Sequence, residues 1–328
     1  MNNIKFGQYY NANSIIHRLD PRIKLISMIL FMVGIFLVPM NNFYILGSIF
    51  VFTFICILLT KVPLLRYLKS IKNIMVLLFV TFVLQSMFNK SDNILFYYDL
   101  NLTIVNIIIV SLILILFLVF FKFLRFRFLL FIVLFVLSIY ILGYPIYGDT
   151  LTTTSVHIYK EGLIYAIFII LRILTLIMFC NILTLTTKST DLNNALEYLL
   201  KPLEKLHIKV SIFSMMISIA LRFIPTLFLE MDKILKAQAS RGVDYNEGGF
   251  RQKIRQIVSI LVPMFVVSFK RADDLSIAME ARGYIPGEKR TKLNILKMHF
   301  IDYLVLFFFI IMLSLLIVLR ILLWDIKW

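Results

Sequence analysis

Two stretches of equal length decide the reading of this chain: ALRFIPTLFLEMDKILKAQASRG, residues 220–242, and LVPMFVVSFKRADDLSIAMEARG, residues 261–283. Offset by 41 residues, they align Phe228 with Phe269, Asp232 with Asp273, Ala237 with Ala278, Arg241 with Arg282 and Gly242 with Gly283, and just upstream Ser218 with Ser259 and Ile219 with Ile260. Each copy has an apolar, proline-marked beginning (Pro225, Pro263), an acidic middle and a small-residue end closed by Arg-Gly. The apolar spacing predicts two helices, Val210–Arg241 and Gly248–Arg282. Glycine just past a helix supplies a left-handed cap, and arginine in the last turn suits the negative end of the dipole. One such ending would be ordinary capping. Two in register point to docking, because Ala237, Ala239, Ala278 and Ala281 let a partner approach closely while each arginine offers a fork of donors. Two ends predict two partner subunits.

The surroundings are those of a membrane protein. Of 328 residues, 61% are hydrophobic and 16% charged, more apolar surface than a soluble domain buries. Apolar runs long enough to span, allowing for tilt, lie near 24–40, 42–60, 73–88, 102–121, 128–147, 162–186 and 301–324. This predicts an all-α membrane protein with about seven transmembrane helices. The cationic loop of Lys61, Arg66, Lys69 and Lys72 and the turn of Lys122, Arg125 and Arg127 place the N-terminus in the cytoplasm, with NKSDNILFYYDLN and YGDTLTTTSVHIYKEG outside. In that scheme 29 of the 34 Lys and Arg are cytoplasmic, so the net charge of +16 reflects topology and needs no nucleic acid. No cleavable signal peptide is expected, since residues 1–22 lack an apolar core.

The predicted domains are 1–186, with six spans; 187–299, a cytoplasmic helical domain with 18 basic and 11 acidic residues; and 300–328, the last span. Within the second, DLNNALEYLLKPLEKL reads as a helix behind an Asp191 N-cap. The two repeated helices, apolar first and amphipathic later, are expected to lie along the membrane face.

Other chemistry finds little support. Cys56 and Cys180 sit in apolar runs, and His17, His157, His207 and His299 are scattered at predicted membrane boundaries without ligand spacing, so no metal site is expected. There is no Gly-rich phosphate loop, no G-x-S-x-G elbow and no pair of intramembrane carboxylates. Arg172, read as the one ionisable group at depth, is assigned a structural ion pair or carbonyl partner, because one cation lines no pathway. Phe213, Met215, Met216, Phe223, Phe228, Met231, Met264 and Phe265 cluster on the repeated helices. They pack intramolecularly in part, and Met-rich surfaces also adapt to partners.

The runs YYNANSIIHRLDPRIKLI, LTLTTKSTDLNNALEYLLKPL, ALRFIPTLFLEMDKILKAQASRG and LVPMFVVSFKRADDLSIAMEARGY, the last followed by GEKRTKL, resemble the transmembrane (T) component of energy-coupling factor transporters, bacterial ATP-driven importers of vitamins and transition-metal ions. The resemblance covers roughly residues 7–90 and 155–300. It implies a non-enzymatic scaffold in the bacterial cell membrane, whose ends Ala239, Ser240, Arg241, Gly242 and Ala281, Arg282, Gly283 dock into two ABC ATPase subunits. Those partners would bind ATP and magnesium, with no cofactor on this chain. It also implies a small membrane-embedded substrate-binding (S) subunit as a partner, and the Phe and Met cluster is the expected contact. Ser240 stands where the family has alanine, small for small. Residues near 93–148 add two spans to a family core of five. A self-sufficient secondary transporter is the alternative, but it needs polar or broken midplane helices that these spans hardly offer.

Overall fold

The computed structural model describes residues 9–40, 42–88, 94–120, scattered positions from 130 to 142, 152–206, 209–242, 249–286, 288, 296 and 298–325. The turn of Lys122, Arg125 and Arg127, His207, and most of the span read near 128–147 lie outside them. A short helix, α1 (Ile15–Arg18), precedes α2 (Pro21–Leu37), α3 (Phe43–Leu59) and α4 (Leu64–Phe88). Strand β1 (Ile94–Leu102), α5 (Ile104–Phe120), strand β2 (Thr152–Tyr159) and α6 (Lys160–Thr186) follow. Then come α7 (Ser189–Leu200), a 3-10 turn (Lys201–Leu206), α8 (Val210–Ser240), α9 (Phe250–Ala281) and α10 (Phe300–Asp325). The spanning part is all-α, as expected. Among the described residues, α6, α8, residues 251–281 of α9 and residues 300–322 of α10 are long and apolar enough to cross a membrane, and a pair bent by 56° within α4 would make a fifth. By that measure alone the two repeated helices pass the same test as the spans.

Two corrections concern local structure. Helix α7 begins at Ser189, so Asp191 lies in its first turn and the capping position belongs to Lys188, which makes no side-chain cap. The carboxylate still favours the positive end of the helix dipole there. Second, the two segments read as outer loops contain β1 and β2, which pair antiparallel with Tyr97 opposite His157 and Asp99 opposite Ser155. Thr, Val, Ile and Tyr in β2 are strand formers, and a loop between spans offered no apolar alternation to reveal them.

The chain divides into two compact units. One comprises Met28–Ile182 and Phe308–Trp328. Its core is aromatic: Phe31 stacks on Phe179 at 3.8 Å, and Phe309 meets both rings edge-on. Gly34 lets α10 come close, since a Cβ there would stand 3.1 Å from Leu316 Cδ1. Gly162 is tighter still; a Cβ would lie 2.9 Å from the carbonyl oxygen of Ser86 at the end of α4.

The other unit comprises Met1–Ser27 and Leu183–Phe307, and carries the repeated helices. Helix α7 is fastened to α8 by Asn193, whose amide donates to the Ser214 carbonyl at 2.9 Å and to Ser218 Oγ at 2.7 Å. Ser259, the repeat partner of Ser218, instead bonds the carbonyl of Gln256 within its own helix. The two copies share sequence and helix but not neighbours.

Candidate functional site

Helices α8 and α9 continue through Pro225 and Pro263 and stop at Ser240 and Ala281. The stopping device is the same in both. Arg241 and Arg282 occupy the cap with φ near −90°, and Gly242 and Gly283 take φ of 85° and 72°. That left-handed geometry costs glycine nothing and other residues about 1 kcal/mol or more. At the second end the Gly283 N–H bonds the Glu280 carbonyl at 2.9 Å and the Tyr284 N–H bonds that of Met279 at 3.0 Å, a complete Schellman closure. At the first, the Gly242 N–H bonds Ala239 at 3.0 Å in the matching way.

The backbone closes both helices without help from the arginine side chains. Arg241 and Arg282 are exposed, and neither guanidinium has a hydrogen bond or ion pair with the described residues. Ala239, Ser240, Gly242, Ala281 and Gly283 are exposed beside them, and nothing lies within 4 Å of a Cβ built on either glycine. Ser240 turns its hydroxyl back to the Lys236 carbonyl at 3.0 Å, which leaves its surface as bland as alanine's.

Where the helices meet, Arg271 of α9 donates to Thr226 Oγ1 at 2.9 Å and sits 3.6 Å from Glu230, both on α8. Of the eight Phe and Met residues assigned to a partner surface, Phe213, Met216, Phe228 and Phe265 are exposed, while Met215, Phe223, Met231 and Met264 are half-buried. The apolar surface on α9 extends further than that reading: Ile254, Ile257, Val258, Leu261, Phe265 and Phe269 recur at helical spacing and are 41–67% exposed. The alignment of Phe228 with Phe269 was the available signal for the last of these.

A sequence model of the family described as "Cobalt transport protein" matches residues 94–293, which takes in both Arg-Gly helices. The chain is 35% identical over 292 residues to the energy-coupling factor transporter transmembrane protein EcfT of Bacillus subtilis (strain 168), with 89% of each chain covered. It is 35% identical over 301 residues to that of Clostridium kluyveri, covering 92% of this chain and 91% of the relative. Against that of Lactococcus lactis subsp. cremoris it is 34% identical over 317 residues, covering 97% and 98%. The chain belongs to the energy-coupling factor transporter transmembrane protein family. It is therefore a multi-pass membrane component of an energy-coupling transporter.

In this EcfT-family chain the N-terminal motif, which carried resemblance but no assigned role, forms a buried polar clasp. Asp20 caps α2 by accepting the Arg22 N–H at 2.8 Å, ahead of Pro21 at the first helical position. Asp302, 1% exposed, accepts the Asp20 N–H at 2.9 Å through one oxygen and the His299 N–H at 2.7 Å through the other. Lys24 donates to the Thr186 carbonyl and Thr187 hydroxyl at the end of α6, and to the His17 carbonyl. Arg22 lies over the Tyr198 ring at 3.8 Å and donates to the Leu296 carbonyl. Arg172 is thus not alone among buried ionisable groups; Asp20, Lys24 and Asp302 are more deeply covered.

His17 belongs to the same motif, its ring bonded to Ser14 Oγ at 2.7 Å and to the Tyr10 carbonyl at 2.9 Å. Burial lowers its pKa below the ordinary 6.5; the Tyr10 carbonyl opposes this and Lys24 adds to it. The folded state therefore binds fewer protons than the unfolded one as pH falls. The stability contributed by neutral His17 is present above pH 6.5 and is lost as pH drops through the lower folded value. Thermal melts of the purified chain from neutral pH downward should show that loss, and His17→Gln should remove part of the slope. An unchanged slope in the variant would assign the loss to other groups.

Arg172 on α6 donates to the Val38 carbonyl at 2.6 Å, just past the end of α2, and its guanidinium lies 4.9 Å from the Phe168 ring centre. It caps a helix end, and no carboxylate among the described residues pairs with it. Arg172→Lys keeps a donor and should lower the melting temperature less than Arg172→Leu, which leaves that carbonyl unpaired at about 1–3 kcal/mol. A wild-type melt for the leucine variant would remove the capping role.

Proposed function

We propose that this chain is the transducer of an ATP-driven importer, passing the motion of two ABC ATPase subunits to a substrate-binding membrane subunit during uptake of a vitamin or transition-metal ion. The observation that carries this reading is the duplicated helix ending: two exposed arginines without a hydrogen bond or ion pair to the described residues, each on a glycine-closed helix with small neighbours. ATP and magnesium would be held by the ATPases, and this chain would do no chemistry. Residues 187–299 would face the cytoplasm, as would the N-terminus. The exposed apolar faces of α8 and α9 suit an S subunit, since they carry Phe, Met and branched residues in place of charges. ATPase recovery on co-purification with variants charge-reversed at Arg241 and Arg282 tests the reading, with substrate uptake as its second readout. A self-sufficient secondary transporter would keep uptake without ATPases.

A further inference from the structure

We propose that α8 and α9 form a site for the headgroup of an anionic glycerophospholipid, held by Arg222, Arg271 and Arg282. These arginines line a groove of about 470 Å³ whose other walls include Ile219, Phe223 and Leu275. Three arginines line one groove, and among the described residues the acidic side chain paired with any of them is Glu230, 3.6 Å from Arg271. Arg271 is further engaged by Thr226. Arg222 and Arg282 have no hydrogen bond or ion pair with the described residues. Like charges gathered on a partly apolar surface repel unless an anion joins them.

The position of the groove favours a lipid over a protein carboxylate. From Val210 to Leu221, α8 carries no charged side chain, and Arg222 ends that stretch; from Gln256 to Phe269, α9 carries none, and Lys270 and Arg271 end it. Both helices thus pass from apolar to cationic at the same groove, after about 18–21 Å at the helical rise. Cations bordering an apolar helix face are what an interfacial helix presents to phosphate headgroups. The apolar walls suit the glycerol and first methylenes of the chains, while the guanidinium forks suit phosphate oxygens. The site shares Arg282 with the proposed ATPase contact, but Arg222 and Arg271 have no part in that contact.

Native mass spectrometry of the full-length chain, given phosphatidylglycerol and phosphatidylcholine with identical acyl chains in equal amounts, tests the site. The wild type should retain phosphatidylglycerol preferentially, and Arg222→Gln should cut the preference about fivefold, the worth of one cation at such a surface. Arg222→Lys should keep most of it. Arg222 has no hydrogen bond or ion pair with the described residues, so its variants should fold, which a thermal melt checks. Equal retention of the two lipids by the wild type, or an undiminished preference in Arg222→Gln, would overturn the proposal. So would displacement of the lipid by inorganic phosphate, which would make the site one for a free anion. Loss of the ATPases from Arg222→Gln with lipid retention unchanged would reassign the groove to a partner carboxylate. Arg241→Glu, outside the groove, reports on ATPase docking alone.

Discussion

If Arg241 and Arg282 dock the proposed ATPases, ATPase recovery with the affinity-tagged chain should drop about 10- to 150-fold in apparent affinity for Arg241→Glu or for Arg282→Glu, and the double variant should recover none and support no uptake. The range follows from charge-assisted hydrogen bonds worth about 1.5–3 kcal/mol each, at 1.4 kcal/mol per factor of ten. Charge reversal adds repulsion against whatever acidic group the arginine meets. The helices should survive both changes, because their closure is made by backbone bonds to Gly242 and Gly283, not by the guanidinium groups. A contribution of the arginines to the helix dipole is under about 1 kcal/mol. Near-normal recovery in the double variant, with at most a slightly lower melting temperature, would leave these arginines as capping residues and remove the coupling role.

The helix ends were legible because their physics is local. Left-handed glycine after a helix is dictated by the residue itself, and Gly242 and Gly283 adopt it as the Arg-Gly pattern predicts. The helices α8 and α9 were legible for the same reason, with ends within two residues of those read from apolar spacing. What could not be read was pairing between distant residues. Asp302 stands in the first turn of α10 and accepts the nearby His299 N–H, yet its other oxygen holds the backbone of Asp20. The β1–β2 ladder likewise joins segments that flank the two spans read near 102–121 and 128–147. Asp20 before Pro21 is a helix-start pattern, but nothing in a single sequence says which acid will meet the Asp20 N–H. Side-chain exposure on α8 and α9 was also only half legible, since periodicity marks a face as apolar without saying what covers it.

Asp302→Ala should strongly destabilise the unit that holds α8 and α9. The alanine leaves the N–H groups of Asp20 and His299 without their acceptor, in a site where the aspartate is 1% exposed. Each unsatisfied group costs about 1–3 kcal/mol. The loss also removes one of three carboxylates, with Asp191 and Asp20, that stabilise the charge of buried Lys24. Removing one partner of a buried charged set costs about 3–5 kcal/mol, so the two routes agree in size. Asp302→Asn keeps one acceptor oxygen, and can serve one N–H but not both, so it should fall between alanine and wild type. Lys24→Met should resemble Asp302→Ala, because it frees the Thr186 carbonyl at the end of α6 and strands the carboxylates. Melting temperatures in detergent, with limited proteolysis near Thr186 and Thr187, order the four proteins. The expected order is wild type, Asp302→Asn, then Asp302→Ala and Lys24→Met together, with cleavage at that junction rising in step. A wild-type melt for Asp302→Ala would mean that water satisfies both N–H groups as well as the carboxylate does, and that the clasp does not hold the N-terminal segment against the start of α10.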